Sequence, residues 1–177
     1  MLNIILMLIP LAIIIILLLA SKQPDDFKIT RTGKISAPAS AIFPHVNNLQ
    51  KWEAWSPWAK LDPNSKSTFD GPAEGVGSKM GWTGNNKVGV GSMTVTESRP
   101  SDFIKFKLEF QKPMQATNIA EFTFTPEGDQ TSVTWSMSGT NNFMAKVMGL
   151  IMNCDKMVGG QFEKGLADLK TVVEGTK

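Results

Sequence analysis

The chain has 177 residues, a formal net charge of +2 with both signs scattered, and a single cysteine. That length suits one domain of about 150 residues with an N-terminal appendage, enough for a real core without covalent cross-links. The charge leaves no electrostatic footprint for nucleic acid, and one cysteine excludes an internal disulfide framework.

The appendage comes first. Leu2 to Ala20 carries no charge, and only Asn3 and Pro10 interrupt the apolar run. As a helix it spans about 28 Å, close to the hydrocarbon thickness of a bilayer. A cleaved secretory signal is the rival reading. Against it, no Lys or Arg precedes the run, the apolar core exceeds the usual length of about 7 to 15 residues, and Leu18 is a poor partner for Ala20 at a cut. The sequence therefore predicts a single-pass membrane anchor over residues 1–20, a polar linker over 21–26 and a folded domain over 27–174. Lys22, Lys28 and Arg31 follow the span. Taken alone they put the domain in the cytoplasm, but three residues leave the side open.

From Phe27 to Ser36 the chain alternates, with Phe27, Ile29, Arg31, Gly33 and Ile35 on one face. That is a strand with one side in water. Ala37-Pro38 stops it. A short helix follows from Pro38 or Ser40 to Val46, and a second from Leu49 to Trp55, ended by Pro57. Dense glycine from Gly71 to Gly91 then argues for hairpins. Strands are expected over Ser67–Phe69, Ser78–Thr83, Gly89–Glu97, Phe103–Phe110, Gln115–Thr125 and Thr131–Ser138. In the last three, apolar residues (Ile104, Phe106, Leu108; Ala120, Phe122, Phe124; Val133, Trp135, Met137) alternate with polar ones. One apolar face and one polar face mark an antiparallel sheet.

Asn142 to Glu174 changes period. Phe143, Val147, Leu150, Ile151, Cys154, Val158, Phe162, Leu166, Leu169 and Val173 recur in steps of three and four. They form one apolar helical stripe, the natural cover for the sheet. Cys154 lies on it and is expected to be a buried small hydrophobe. Gly159-Gly160 costs about 2 kcal/mol relative to two alanines, so a bend between Met152 and Gly160, or a close neighbour, is expected. The fold class is α+β, with the helices on one face of the sheet.

Few residues offer chemistry. His45 is the only histidine and there is no tyrosine; no metal site is readable and no cofactor is implied. Glu109 and Glu121 fall on the polar face of their strands. Arg31 shares a face with Ile29 and Ile35, where it is a candidate anchor for a ligand's acidic or carbonyl group. Trp52 and Trp55, at i and i+3, are expected to pin their helix to the sheet. Trp82 and Trp135 are better placed for a cavity, as are Met93 and Met137 in strands. Met148 and Met152, on the helical cover, bring adaptable side chains suited to varied apolar ligands, although ordinary core filling uses the same residues.

WEAWSPWAKLDP (52–63), GPAEGVGSKMGWTGN (71–85), VGVGSMTVTESRP (88–100), TSVTWSMSG (131–139) and FEKGLADLK (162–170) together resemble the START-like superfamily, specifically its polyketide cyclase/dehydrase-like SRPBCC branch. The resemblance runs from about Phe27 to Glu174. It implies a helix-grip fold: a seven-stranded antiparallel sheet wrapped around a long C-terminal helix, with a hydrophobic cavity between. Relatives bind lipids, sterols, polyketides or other apolar molecules, and only some are catalysts. The expected cavity residues are Trp82, Met93, Phe106, Leu108, Phe122, Phe124, Trp135, Met137, Met148, Met152 and Phe162, with Arg31 and His45 as candidate polar anchors. The expected partners are a hydrophobic small molecule or lipid and a membrane, with no nucleic acid. Binding is favoured over catalysis. A cyclase or dehydratase using the same cavity, and a cavity filled by its own side chains, are the alternatives.

Overall fold

The computed structural model describes residues 2–175, and side chains for residues 9, 10 and 13–175. The elements run in the order α1 (Leu2–Ser21), β1 (Asp26–Ile35), α2 (Ala39–Asn47), a 3₁₀ helix (Leu49–Ala54), β2 (Lys66–Asp70), β3 (Lys79–Thr83), β4 (Val90–Arg99), β5 (Phe103–Lys112), β6 (Ala116–Glu127), β7 (Gln130–Thr140), α3 (Phe143–Ile151) and α4 (Cys154–Glu174). The strands form one seven-stranded sheet in the order β1-β7-β6-β5-β4-β3-β2. Every neighbouring pair is antiparallel. This is the helix-grip arrangement.

Local chemistry sets the boundaries. Pro38 precedes α2 in extended backbone, the conformation its ring favours before a helix. Asn48 Oδ1 accepts from Gln50 N at 3.0 Å and starts the 3₁₀ helix. Asn142 and Asn153 do the same for α3 and α4, accepting from Ala145 N and Lys156 N at 2.8 Å each. An asparagine at such a cap contributes about 1 kcal/mol. The predicted interruption of the C-terminal helix therefore falls at Met152–Asn153, where Asn153 restarts the helix. The glycine pair lies inside unbroken α4.

The inner face of the sheet is divided along its strands. In one half, Phe43 of α2 and Trp52 and Trp55 of the 3₁₀ helix plug the space above Ile104, Phe106, Phe122, Phe124 and Val133, all buried. Rings meet edge to face: Trp52–Phe106 at 5.5 Å, Trp52–Phe122 at 5.9 Å and Phe43–Phe124 at 5.6 Å. Such pairs add about 0.5–1.5 kcal/mol each beyond their burial. Trp52 Nε1 donates to Val46 O at 2.8 Å and Trp55 Nε1 to His45 O at 3.0 Å, so both polar tips are satisfied. The two tryptophans pin their helix to the sheet, as their spacing predicts.

Two expectations are corrected. Cys154 is exposed: in the first turn of α4 it is Asp155 that meets β1, through Arg31, and the buried stripe of the helix begins at Gly159 and Phe162. The first half of the C-terminal stripe covers nothing in the core: α3 has no buried residue. The expected membrane span is neither shown nor overturned. Among the described residues no helix is long and apolar enough to cross a membrane. Part of that expectation falls on residue 1 and on the side chains of 2–8, 11 and 12, outside those described. The described apolar side chains at 13–19 extend about 10 Å along the helix.

Candidate functional site

The other half of the inner face is hollow. A cavity of about 600 Å³ lies between the sheet, the segment from Leu49 to Ser67, and α4. Its floor is made by inward side chains of neighbouring antiparallel strands: Met80 and Trp82 of β3, Met93 of β4, Leu108 and Phe110 of β5, Ala120 of β6, and Trp135 and Met137 of β7. Phe162 closes it from α4, and Trp58 joins it from the loop before β2. Phe162 stacks on Trp135 at 4.2 Å and 12°, while Trp58 meets both rings edge-on.

Small residues give these rings their places. A side chain at Gly91 would meet Trp82 Cζ2 at 2.6 Å and Glu109 O at 2.7 Å, so glycine lets the Trp82 ring cross β4. Trp82 then meets Phe110 edge-on at 5.8 Å. Trp135 Nε1 has no hydrogen-bond partner among the described residues. That atom is sealed among aromatic rings, so it is closed to a cavity ligand. N–H contacts onto aromatic faces are the weak compensation such a setting provides.

Polar groups gather at the mouth. Glu53, Lys60, Ser67 and Phe69 line the cavity and are exposed. Asp62 also lines it but is buried, and both its oxygens are engaged. Oδ1 accepts from Asn64 N at 3.1 Å and Oδ2 from Asn85 N at 2.7 Å. It ties the loop before β2 to the β3–β4 turn. Lys60 pairs with Asp168 of α4 at 2.7 Å. A second depression, about 470 Å³, lies on the outer face among Lys79, Ser92, Glu109, Gln111, Gln115 and Thr117. It is polar and open to solvent, so the inner cavity is the better enclosure for an apolar molecule.

The structure sorts the expected cavity residues into three groups. Trp82, Met93, Leu108, Trp135, Met137 and Phe162 line it. Phe106, Phe122 and Phe124 face the same side but sit under the aromatic plug. Met148 is exposed on α3, and Met152 follows that helix away from the cavity. Glu53, Trp58, Met80 and Phe110 belong to the lining and were not singled out as cavity residues. The alternation of β5 already put Phe110 on the correct face.

Neither candidate polar anchor reaches the cavity. Arg31 faces the helix side, as alternation predicts, but α4 claims it. Its Nε donates to Glu163 Oε1 at 2.7 Å, Nη2 to Asp155 Oδ2 at 2.9 Å, and Nη1 to Asp155 Oδ1 at 3.1 Å. Those hydrogen bonds push the Arg31 pKa up and hold the Asp155 carboxyl below its usual range. His45 is half-buried and absent from the cavity wall. Burial, and then the nearby Lys51, lower its pKa.

A family model described as "Polyketide cyclase / dehydrase and lipid transport" matches residues 26–174. No curated protein matches the chain in sequence. Among solved structures, protein CV1439 from Chromobacterium violaceum is 15% identical with a TM-score of 0.60, covering 86% of this chain and 99% of its own. Protein MLL2253 from Mesorhizobium loti is 18% identical with a TM-score of 0.61, covering 85% and 99%. DynU16, a protein in the dynemicin biosynthetic locus, is 15% identical with a TM-score of 0.58, covering 87% of this chain and 49% of its own. At these identities the likeness is one of fold.

Proposed function

The chain belongs to the polyketide cyclase/dehydrase and lipid transport family, and from that premise we propose that its inner cavity binds a hydrophobic small molecule or lipid. One observation carries this reading. The floor of the 600 Å³ cavity is apolar and aromatic, and its charged groups stand at the mouth. That is the distribution expected of a pocket that shelters an apolar body and leaves a polar end near water. The volume lies within the range of about 300–1,000 Å³ usual for small-molecule sites. Displacement of the fluorescent fatty acid cis-parinaric acid from the full chain tests it. Saturable binding that Ala120→Phe removes supports the reading, and binding unchanged by that substitution contradicts it.

We further propose that α1 anchors the domain in a membrane. Its 20 residues contain no acidic or basic side chain. Ile13, Ile14, Ile15, Ile16, Leu17, Leu18 and Leu19 are all exposed, and seven successive residues cover every side of a helix. A helix apolar all round needs an apolar surrounding.

A catalytic reading, a cyclase or dehydratase in the same cavity, is favoured by one feature: the carboxylate of Glu53 lines the mouth. Since Asp62 is engaged by backbone N–H groups, Glu53 is the acid–base candidate. Turnover of a polyketide-like substrate abolished by Glu53→Gln would establish it. Turnover unaffected by Glu53→Gln would remove it.

A further inference from the structure

The sheet has two unlike ends. At one end lie the start of β1, the end of β7 and the β5–β6 turn, as the pairs Asp26↔Thr140 and Val90↔Lys112 show. The β3–β4 turn lies there too, since Thr83 faces Val90, and so does the start of β2, since Lys66 faces Thr83. This is the end that α1 enters, and the cavity occupies the half of the sheet beside it, from Trp82 and Phe110 to Met137. At the other end, on or beside the β4–β5 and β6–β7 turns, stand Glu97 and Asp102, both paired with Arg99, Glu127, paired with Lys34, and Asp129.

α3 stands at the α1 end. It packs beside α1, and the linker after α1 is tied to α3 and to the residues that lead into it. Lys146, only 11% exposed, pairs with Asp25, and Asn141 N donates to Asp25 O at 2.6 Å. Its outward arc is apolar: Phe143 is 50% exposed, Met144 57%, Met148 38% and Ile151 80%. At about 100° per residue these four fall within one arc of the helix. Met114, on the β5–β6 turn at the same end, is 44% exposed. Lys66, Lys87 and Lys112 also stand there and are exposed.

We propose that α3 lies in the surface layer of the bilayer that α1 enters, so that the hollow half of the sheet faces that bilayer. The proposal rests on the membrane reading of α1. A short apolar helix with an uncovered Phe–Met–Ile face is stabilised by immersion of that face to the acyl boundary. The exposed lysines at this end complement anionic headgroups, whereas at the far end Arg99 and Lys34 are already paired with carboxylates. A cavity held there takes an apolar molecule from the lipid phase and returns it there.

The test uses the full chain with Cys154→Ser, reconstituted into vesicles of phosphatidylcholine and phosphatidylglycerol whose acyl chains carry bromine. Bimane is attached at one of three positions: Ile14→Cys, Met148→Cys or Asp129→Cys. The first reports on the anchor, the second on α3 and the third on the far end. Loss of emission at 14 and 148, with none at 129, is expected. Loss at 14 without loss at 148 overturns the placement of α3 and leaves the anchor standing. No loss at 14 overturns the anchor, and this proposal with it. Circular dichroism of each labelled chain confirms that the fold is kept.

Discussion

The guanidinium of Arg31 occupies the space that a side chain at position 159 would fill. A Cβ built on Gly159 falls inside the guanidinium group, which bonds Asp155 and Glu163 on either side of that glycine. Glycine here is the condition for β1 and α4 to share one ion-pair cluster. Gly159→Ala is predicted to destabilise the domain by about 1–3 kcal/mol, the cost of overpacking. In an Arg31→Met background, whose longer-reaching charge is gone, the same substitution should cost less, because a flexible side chain can give way. Urea unfolding of the four proteins measures the coupling. Equal costs in both backgrounds would show that Arg31 is not what position 159 must avoid.

Acid should loosen the same joint. Hydrogen bonding to Arg31 holds the Asp155 carboxyl below its ordinary value of about 3.9. The backbone N–H of Ser36, at 2.7 Å, does likewise for Glu174. A depressed carboxylate contributes stability that is present above its unfolded pKa and lost as pH falls through its folded value. Thermal melts from pH 5 down to pH 2 should therefore show falling midpoints, and Asp155→Asn should flatten the fall. An unchanged slope in that variant would contradict the assignment.

His45 acts in a higher window. Burial and Lys51 lower its folded pKa from 6.5, so the unfolded chain takes up the proton more readily. Its contribution to stability is full above about pH 6.5 and declines as the pH drops toward the folded value. His45→Gln should remove this slope between pH 7 and pH 5. Ligand binding at constant pH should be unchanged by it, since His45 is absent from the cavity wall.

The two halves of the inner face should answer differently to truncation. Phe122 is fully buried beneath Trp52 and Trp55, so Phe122→Ala is predicted to cost about 3–5 kcal/mol. Trp82 already borders empty space and is half-buried; Trp82→Ala should cost less and alter which apolar probes bind. Comparing chemical denaturation with probe selectivity separates the two. Equal stability losses would mean that the cavity wall carries the fold as the plug does.

Much of this architecture was legible because two periods dominate the sequence. The alternation of Phe103–Phe110, Ala120–Phe124 and Val133–Met137 fixed which side chains face inward. The three-and-four spacing of Phe162, Leu166, Leu169 and Val173 fixed the face of α4. Alternation reports the face of a strand, however, and not the position along it. Phe106 and Leu108 therefore read alike, although one lies under the plug and the other on the cavity floor. The placement of Trp52 and Trp55, a tertiary fact, decides between them. Arg31 was read to the correct face, but its partners Asp155 and Glu163 lie more than a hundred residues away. The break at Asn153 was readable in principle from an asparagine before Cys154-Asp155-Lys156, an ordinary helix start.

The central claim is that the hollow half of the sheet holds an apolar molecule. Native mass spectrometry of the full chain in mild detergent, beside Ala120→Phe, tests it most directly. Ala120 lies on the cavity floor, and a phenyl ring there fills space the ligand needs. An apolar adduct on the wild-type chain, absent from a folded Ala120→Phe, is predicted. A bare mass in both samples, or an adduct that survives the substitution, would contradict the claim.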